Sequence, residues 1–303
     1  MKDVSTDIYQ RITDRIVEQI EAGTLPWVRP WSTVGDTVPI NIISSRAYRG
    51  INNLVLQLEA QSHGYRLNRW LTYRQAAERG AQVRKGETAT QIVYYQLRKL
   101  AATSDAFPVY AEPDIPERII PLLRVYSVFN VAQIDGLPTE LLEVPAAQGP
   151  LAAQEAADDL LLDSAVPIQH GGFRAFYSPS EDRIQLPFKS LFKDAANYYA
   201  AALHELVHAT GHMSRCNRQL TTRFGTESYA AEELIAELGA AFLCAHCRID
   251  GQLQHASYLS SWLDVLRRDK RAIFVASTKA QQAADYLIAR TQPAHAPAEA
   301  LAA

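Results

Sequence analysis

Ile8, Ile12, Ile16 and Ile20 recur every fourth residue with Tyr9 beside them. This spacing predicts an amphipathic helix, opened by the capping candidates Ser5 and Thr6 and ended by Gly23 and Pro26. Trp27 and Trp31 then sit in a Pro-rich loop, and a second helical stretch is expected from about Asn53 to Gln61. Thr72-Tyr73-Arg74-Gln75 reads as a capping box that opens a short helix, stopped by Gly80. Arg84-Lys85-Gly86 is a turn, and 91–95 and 120–129 have strand character. Between those strands, Ala101 to Glu117 is rich in Pro and acids and reads as a long exposed loop. Further on, 151–162 predicts a short helix, and Arg174–Tyr177 with Arg183–Leu186 flank a turn as a hairpin would. Leu203, Leu206 and Val207 belong to a buried helix over 195–210, ended by Gly211, and 229–241 forms another.

The elements divide the chain. The fold class is α+β, with an N-terminal α+β domain over 1–145, an Ala-rich acidic linker over 146–166, and a mostly helical domain with a small sheet over 167–290. The Ala- and Pro-dominated tail, 291–303, is expected to be disordered. A chain of 303 residues with 48% hydrophobic and 21% charged side chains can bury two cores, which excludes a disordered or fibrous protein. No apolar run suits a membrane helix and Met1-Lys2-Asp3 opens no signal pattern, so a cytoplasmic location is expected. Three cysteines fit a reducing compartment, and Cys244-Ala245-His246-Cys247 reads as core cysteines on a helix.

His204-Glu205-Leu206-Val207-His208 changes the picture. Residues one helical turn apart lie about 40° from each other and about 6 Å along the axis, so both imidazoles reach one ion. Glu205 flanks that position and serves as a general base for a water activated there. A catalytic zinc needs a third protein ligand. Position 214 is serine, which excludes the metzincin pattern, and His212 is the weaker candidate because Gly211 intervenes. On the helix over 229–241, Glu233 and Glu237 share a face. Glu233 is the preferred ligand, and Glu237 would hold a ligand histidine by its other nitrogen. The small residues Gly239, Ala240 and Ala241 allow the two helices to approach closely. Zn2+, or another divalent ion such as Mn2+, is the expected cofactor. A strand edge near Arg183–Leu186 is expected to align a peptide by strand addition, and Tyr229 and His255 are candidates for stabilising the oxyanion.

Net charge is only −3, which is too little for a protein that mimics DNA. Residues 46–99 nevertheless hold ten basic side chains against three acidic ones. Rings interleave with that charge. Tyr48, Arg49, Arg69, Trp70, Tyr73, Arg74, Arg84 and Lys85 are the candidate contacts to single-stranded DNA, with cations tracking phosphates and rings stacking on unpaired bases.

The strings 48–54, 70–75, 80–87 and 128–133 resemble the N-terminal domain of the ArdC family of plasmid antirestriction proteins, related at that end to TraC-type conjugative primases. Residues 204–212 with 229–243 are similar to the metallopeptidase-like domain of the same family. The resemblance implies a first domain that binds single-stranded DNA, a second with a zincin fold, and a role in protecting incoming conjugative DNA from host restriction. It also implies a protein substrate, one bound to DNA. A DNA-binding protector whose metal site is only structural is the alternative, and the presence of Glu205 argues against it, because a structural site needs no general base.

Overall fold

The computed structural model describes residues 4–23, 25, 27, 38–100, 118–143, 149–218, 227–250 and 258–291. The loop over 101–117, Trp31, His255 and the tail beyond Thr291 lie outside the described residues.

The N-terminal half is built on a five-stranded sheet. Its strands are β1 (Ile40–Asn41), β2 (Arg46–Ala47), β3 (Arg69–Leu71), β5 (Thr90–Leu100) and β6 (Arg118–Asn130), in the order β2-β1-β3-β6-β5. β1 and β3 run parallel and the other pairs antiparallel. A small pair, β4 (Gln82–Val83) with β7 (Ile134–Asp135), lies apart. Helix α2 (Ile51–His63) covers one face, burying Leu56 and Ala60 with Trp70, Ile92 and Val128. An edge strand leaves backbone groups unpaired. Asn52, at the start of α2, closes part of that edge: its side chain donates to the Val93 carbonyl at 2.7 Å and accepts from the Val93 N–H at 2.8 Å. The capping box forms as predicted. Thr72 Oγ1 accepts from Gln75 N, and Gln75 Oε1 accepts from Thr72 N, opening α3 (Tyr73–Ala77).

The isoleucine stripe forms α1 (Val4–Glu21), and it does not pack on this sheet alone. Ile8, Ile12, Ile16 and Ile20 enter one large core with residues of the C-terminal helices. α1 lies against α7 (Leu259–Arg268), and Thr13 Oγ1 donates to the Lys270 carbonyl at 2.8 Å. α2 meets α8 (Ala272–Thr291), where Gly50 N donates to Gln281 and Arg49 pairs with Asp285. The two halves therefore share apolar interior.

In the C-terminal half, α4 (Pro150–Asp163), α5 (Ala195–Thr210), α6 (Glu227–Cys247), α7 and α8 pack on one another, and α5 lies against a three-stranded sheet of β8 (Ile168–His170), β9 (Phe176–Ser178) and β10 (Arg183–Leu186). The predicted hairpin is present as β9 and β10. β10 is not an edge. The order is β8-β10-β9, and parallel β8 occupies the side of β10 on which a peptide was expected to pair. With only three residues, β8 carries too little alternation to be read from sequence. Cys244 and Cys247 are buried on α6, as core cysteines should be.

Candidate metal centre

Two helices make the site. α5 is capped by Asp194, whose side chain accepts from Asn197 N at 2.8 Å and so satisfies one of the first-turn N–H groups. Leu203, Leu206 and Val207 are completely buried and fix the rotation of α5, so His204 and His208 face α6. Gly239 of α6 sits directly on Val207: a Cβ built there would stand 2.8 Å from both Val207 methyl carbons. Only glycine permits this approach, and it brings Glu233 and Glu237 to the histidines.

His204, His208 and Glu233 each offer a donor atom, and all three lie within 4.8 Å of one another. The two Nε2 atoms are 3.1 Å apart. Glu233 places one carboxylate oxygen 3.6 Å from His204 Nε2 and the other 3.5 Å from His208 Nε2. On one tetrahedral ion with bonds of about 2.0–2.1 Å, two imidazole nitrogens stand about 3.3 Å apart. The trio therefore fits a divalent metal ion.

Each imidazole is held from behind. Glu237 lies 3.5 Å from His204 Nδ1, and Glu232 lies 3.5 Å from His208 Nδ1, so both rings direct Nε2 inward. Glu232 is in turn clamped by Arg218, whose Nη2 and Nε donate to its carboxylate at 2.7 and 3.0 Å. The same guanidinium donates to the Val207 carbonyl at 2.7 Å and to Thr210 Oγ1 at 2.8 Å. Glu232 and Arg218 escaped the sequence reading. A signal was present, since Glu232 neighbours Glu233 on a helix otherwise rich in small and apolar residues. Arg218 is distant in sequence and only the turn after α5 returns it.

Electrostatics agree with a cation-binding cluster. Burial pushes the His204 imidazole down, but the carboxylates of Glu233, Glu237 and Glu205 outweigh it and raise it to about 10. Burial works against the charged forms of Glu232 and Glu233 too. His208 with Arg218 holds Glu232 below its ordinary value, and the two histidines do so for Glu233. Glu205 is buried on α5, outside the trio and within electrostatic reach of His204 and Tyr258. Tyr229 stands beside Glu233, hydrogen-bonded to it and to Tyr258 at 3.1 Å, and burial raises its phenol. His212 is elsewhere, bonded to Ser214.

The DNA-contact candidates divide by burial. Trp70 is fully buried, with its Nε1 donating to Asn68 at 2.7 Å. This corrects its expected role, because a ring inside the α2–sheet interior has no face to offer a base. Arg69 is buried as well, and donates to the Leu141 carbonyl at 2.6 Å. Tyr48 is half-buried, and Tyr73, Arg49, Arg74, Arg84 and Lys85 are exposed. Arg49 pairs with Asp285, Arg74 with Glu78, and Arg84 with Glu87 and Asp135.

Known proteins share this architecture. Residues 6–129 match the family model of the N-terminal domain of anti-restriction factor ArdC, and 155–279 match that of a zincin-like metallopeptidase. The crystal structure of antirestriction ArdC protein from the R388 plasmid, metal-free, superposes with a TM-score of 0.77 at 41% identity, covering 94% of this chain and 98% of that one. The chain belongs to the ArdC antirestriction family. The Mn(II)-bound structure of the same R388 ArdC protein is similar at 40% identity and a TM-score of 0.76, covering 93% of this chain and 97% of that one. With the His204–His208–Glu233 trio, this supports a divalent metal as cofactor. Protein y4eC of Sinorhizobium fredii is 41% identical over 298 residues, which is 95% of this chain and 94% of that protein. DNA primase TraC of Escherichia coli is 40% identical over 304 residues, covering 96% of this ArdC-family chain but only 28% of the primase. Among the described residues no helix is long and apolar enough to cross a membrane.

Proposed function

We propose that this ArdC-family chain is a plasmid antirestriction protein that binds single-stranded DNA through residues 1–145 and carries a zinc-dependent peptidase site in residues 167–290, with α4 of the intervening 146–166 packed among the C-terminal helices. The observation that carries the reading is the convergence of His204, His208 and Glu233 within 4.8 Å while Glu205, one residue from His204, stays out of the trio. Two imidazoles and a carboxylate match the donors zinc uses in hydrolases. Zinc bound there supplies Lewis acidity toward a scissile carbonyl.

The chain's own groups do the rest. The carboxylate of Glu205 accepts the proton of the attacking water and delivers it to the leaving nitrogen. Glu237 and Glu232 keep the ligand imidazoles in one tautomer. The Tyr229 hydroxyl, neutral like any phenol at pH 7, turns from Glu233 to donate toward the developing oxyanion. On the DNA-binding side, Tyr73, Arg74, Arg84 and Lys85 are exposed, and solvent screens surface ion pairs such as Arg74–Glu78 enough for a phosphate to displace the acid. A protein bound to DNA is the substrate this arrangement suits.

The test incubates metal-loaded full-length protein with host extract, with and without single-stranded DNA, and maps new cleavage sites. Metal-dependent cuts that DNA enhances support the reading. Binding of DNA with no cleavage under any metal would instead favour a non-catalytic protector.

A further inference from the structure

β5 and β6 form a ribbon of 11 and 13 residues that outruns the rest of the sheet, because β3 meets β6 only at Phe129 and Asn130. Its pairing places Thr90, Ile92 and Tyr94 opposite Val128, Tyr126 and Arg124 on one face. The other face is occupied. Val93 is buried in the shared core, Leu123 and Val125 lie against it, and the Tyr95 hydroxyl bonds that of Tyr9 at 2.7 Å. On the first face, α2 covers only the base, over Ile92 and Val128. Beyond it Tyr94 is 60% and Tyr126 42% exposed, and Arg124 is exposed between them.

Tyr94 is directly opposite Arg124 and diagonal to Tyr126, so the three side chains stand within about 5–8 Å of one another at their roots. Arg124 makes no ion pair among the described residues, whereas Arg49, Arg74 and Arg84 each have an acid partner. The ribbon's sequence carries Arg98, Lys99, Arg118 and Arg124 and no acidic residue. Open rings on a wholly cationic strand pair suit a polymer whose repeating unit holds both a flat ring and an anion.

We infer that the Tyr94–Arg124–Tyr126 face of the ribbon is a stacking platform for unpaired bases of single-stranded DNA, with Tyr94 and Tyr126 under bases and Arg124 at the backbone phosphate. This rests on the DNA-binding reading above and gives it a surface that Trp70, in the core, does not provide. Bases in a duplex have both faces covered, so the platform selects single strands.

The experiment measures anisotropy of a labelled oligothymidylate, an abasic strand of the same length, and a duplex, each with the full-length protein over a salt series. Wild type binds the base-bearing strand more tightly than the abasic strand or duplex. Tyr94→Ala and Tyr126→Ala weaken that binding roughly 5- to 150-fold and lose the discrimination against the abasic strand, while Tyr94→Phe keeps both. Arg124→Gln flattens the slope of log affinity against log salt by about 0.7 and leaves the discrimination in place. If the Tyr variants bind and discriminate as wild type does, or if wild type itself holds abasic and base-bearing strands equally, the platform is wrong while DNA binding stands. If wild type binds no strand, the DNA-binding reading falls and the platform with it. The abasic comparison is made on wild type, so it decides the matter even where an alanine variant fails to fold.

Discussion

A carboxylate beside two metal-binding histidines is either a ligand or a base, and the two roles respond differently to loss of charge. Glu205 lies outside the trio, so Glu205→Gln should retain metal by direct metal analysis and lose hydrolysis, because the amide keeps the shape and cannot take a proton. Glu233→Ala should lower metal content itself. Unchanged hydrolysis in Glu205→Gln would assign the base elsewhere. A second carboxylate acts on stability. Asp182 sits in the β9–β10 turn at φ 47°, accepts from Tyr177 at 2.7 Å and pairs with Arg215, which also donates to the Ala209 carbonyl at 2.7 Å at the end of α5. The Arg215 hydrogen bond holds its pKa below the ordinary 3.8. A depressed folded pKa means the stabilisation is full above the unfolded value and disappears as pH falls through the folded one. Asn tolerates the same left-handed backbone. Asp182→Asn should therefore melt below wild type at pH 7, and the gap should narrow as pH falls below the ordinary 3.8 and on through the lower folded value; a gap that persists in strong acid would show that charge is not its cause.

At the scale of elements, the site depends on how near α6 comes to α5. Gly239 decides this, since a Cβ there meets the Val207 methyls at 2.8 Å. Gly239→Ala should cost about 1–3 kcal/mol in chemical denaturation through overpacking and weaken metal binding by moving Glu233 and Glu237 off the histidines. Adding Val207→Ala makes room and should restore metal binding at least in part. A fully tolerated Gly239→Ala would mean that the helices slide freely. The helices themselves were legible: the apolar period of α5, its HExxH string and the acids of α6 predicted the trio. Arg218 was not, because a clamp made by the returning turn has no local period, and Glu232 was passed over although it neighbours Glu233. β8 and the central place of β10 were missed for a similar reason, a three-residue strand being too short to alternate.

At the scale of the molecule, α1 joins the halves. Ile16 is completely buried in a core that also holds Trp262 and Leu266 of α7. Ile16→Ala should cost about 2–5 kcal/mol and lower amide protection in α7 as well as in α1, measured by hydrogen exchange. Loss confined to the first 21 residues would show that α1 packs without coupling.

The isoleucine stripe required that α1 bury one face, because period and amphipathicity are local properties of the chain. It did not say against what. That partner, like the fate of Trp70, was decided by tertiary packing: an aromatic beside arginines reads the same whether its ring meets a base or α2, and only the fold tells which. HExxH differs because its chemistry is contained in one turn of helix. Glu233 and Glu237 could be named from the face they share on α6, but the Glu232–Arg218 clamp behind His208 and the open ribbon face required two helices, a returning turn and a strand pair to be brought together, and that information is spread over residues far apart in the chain.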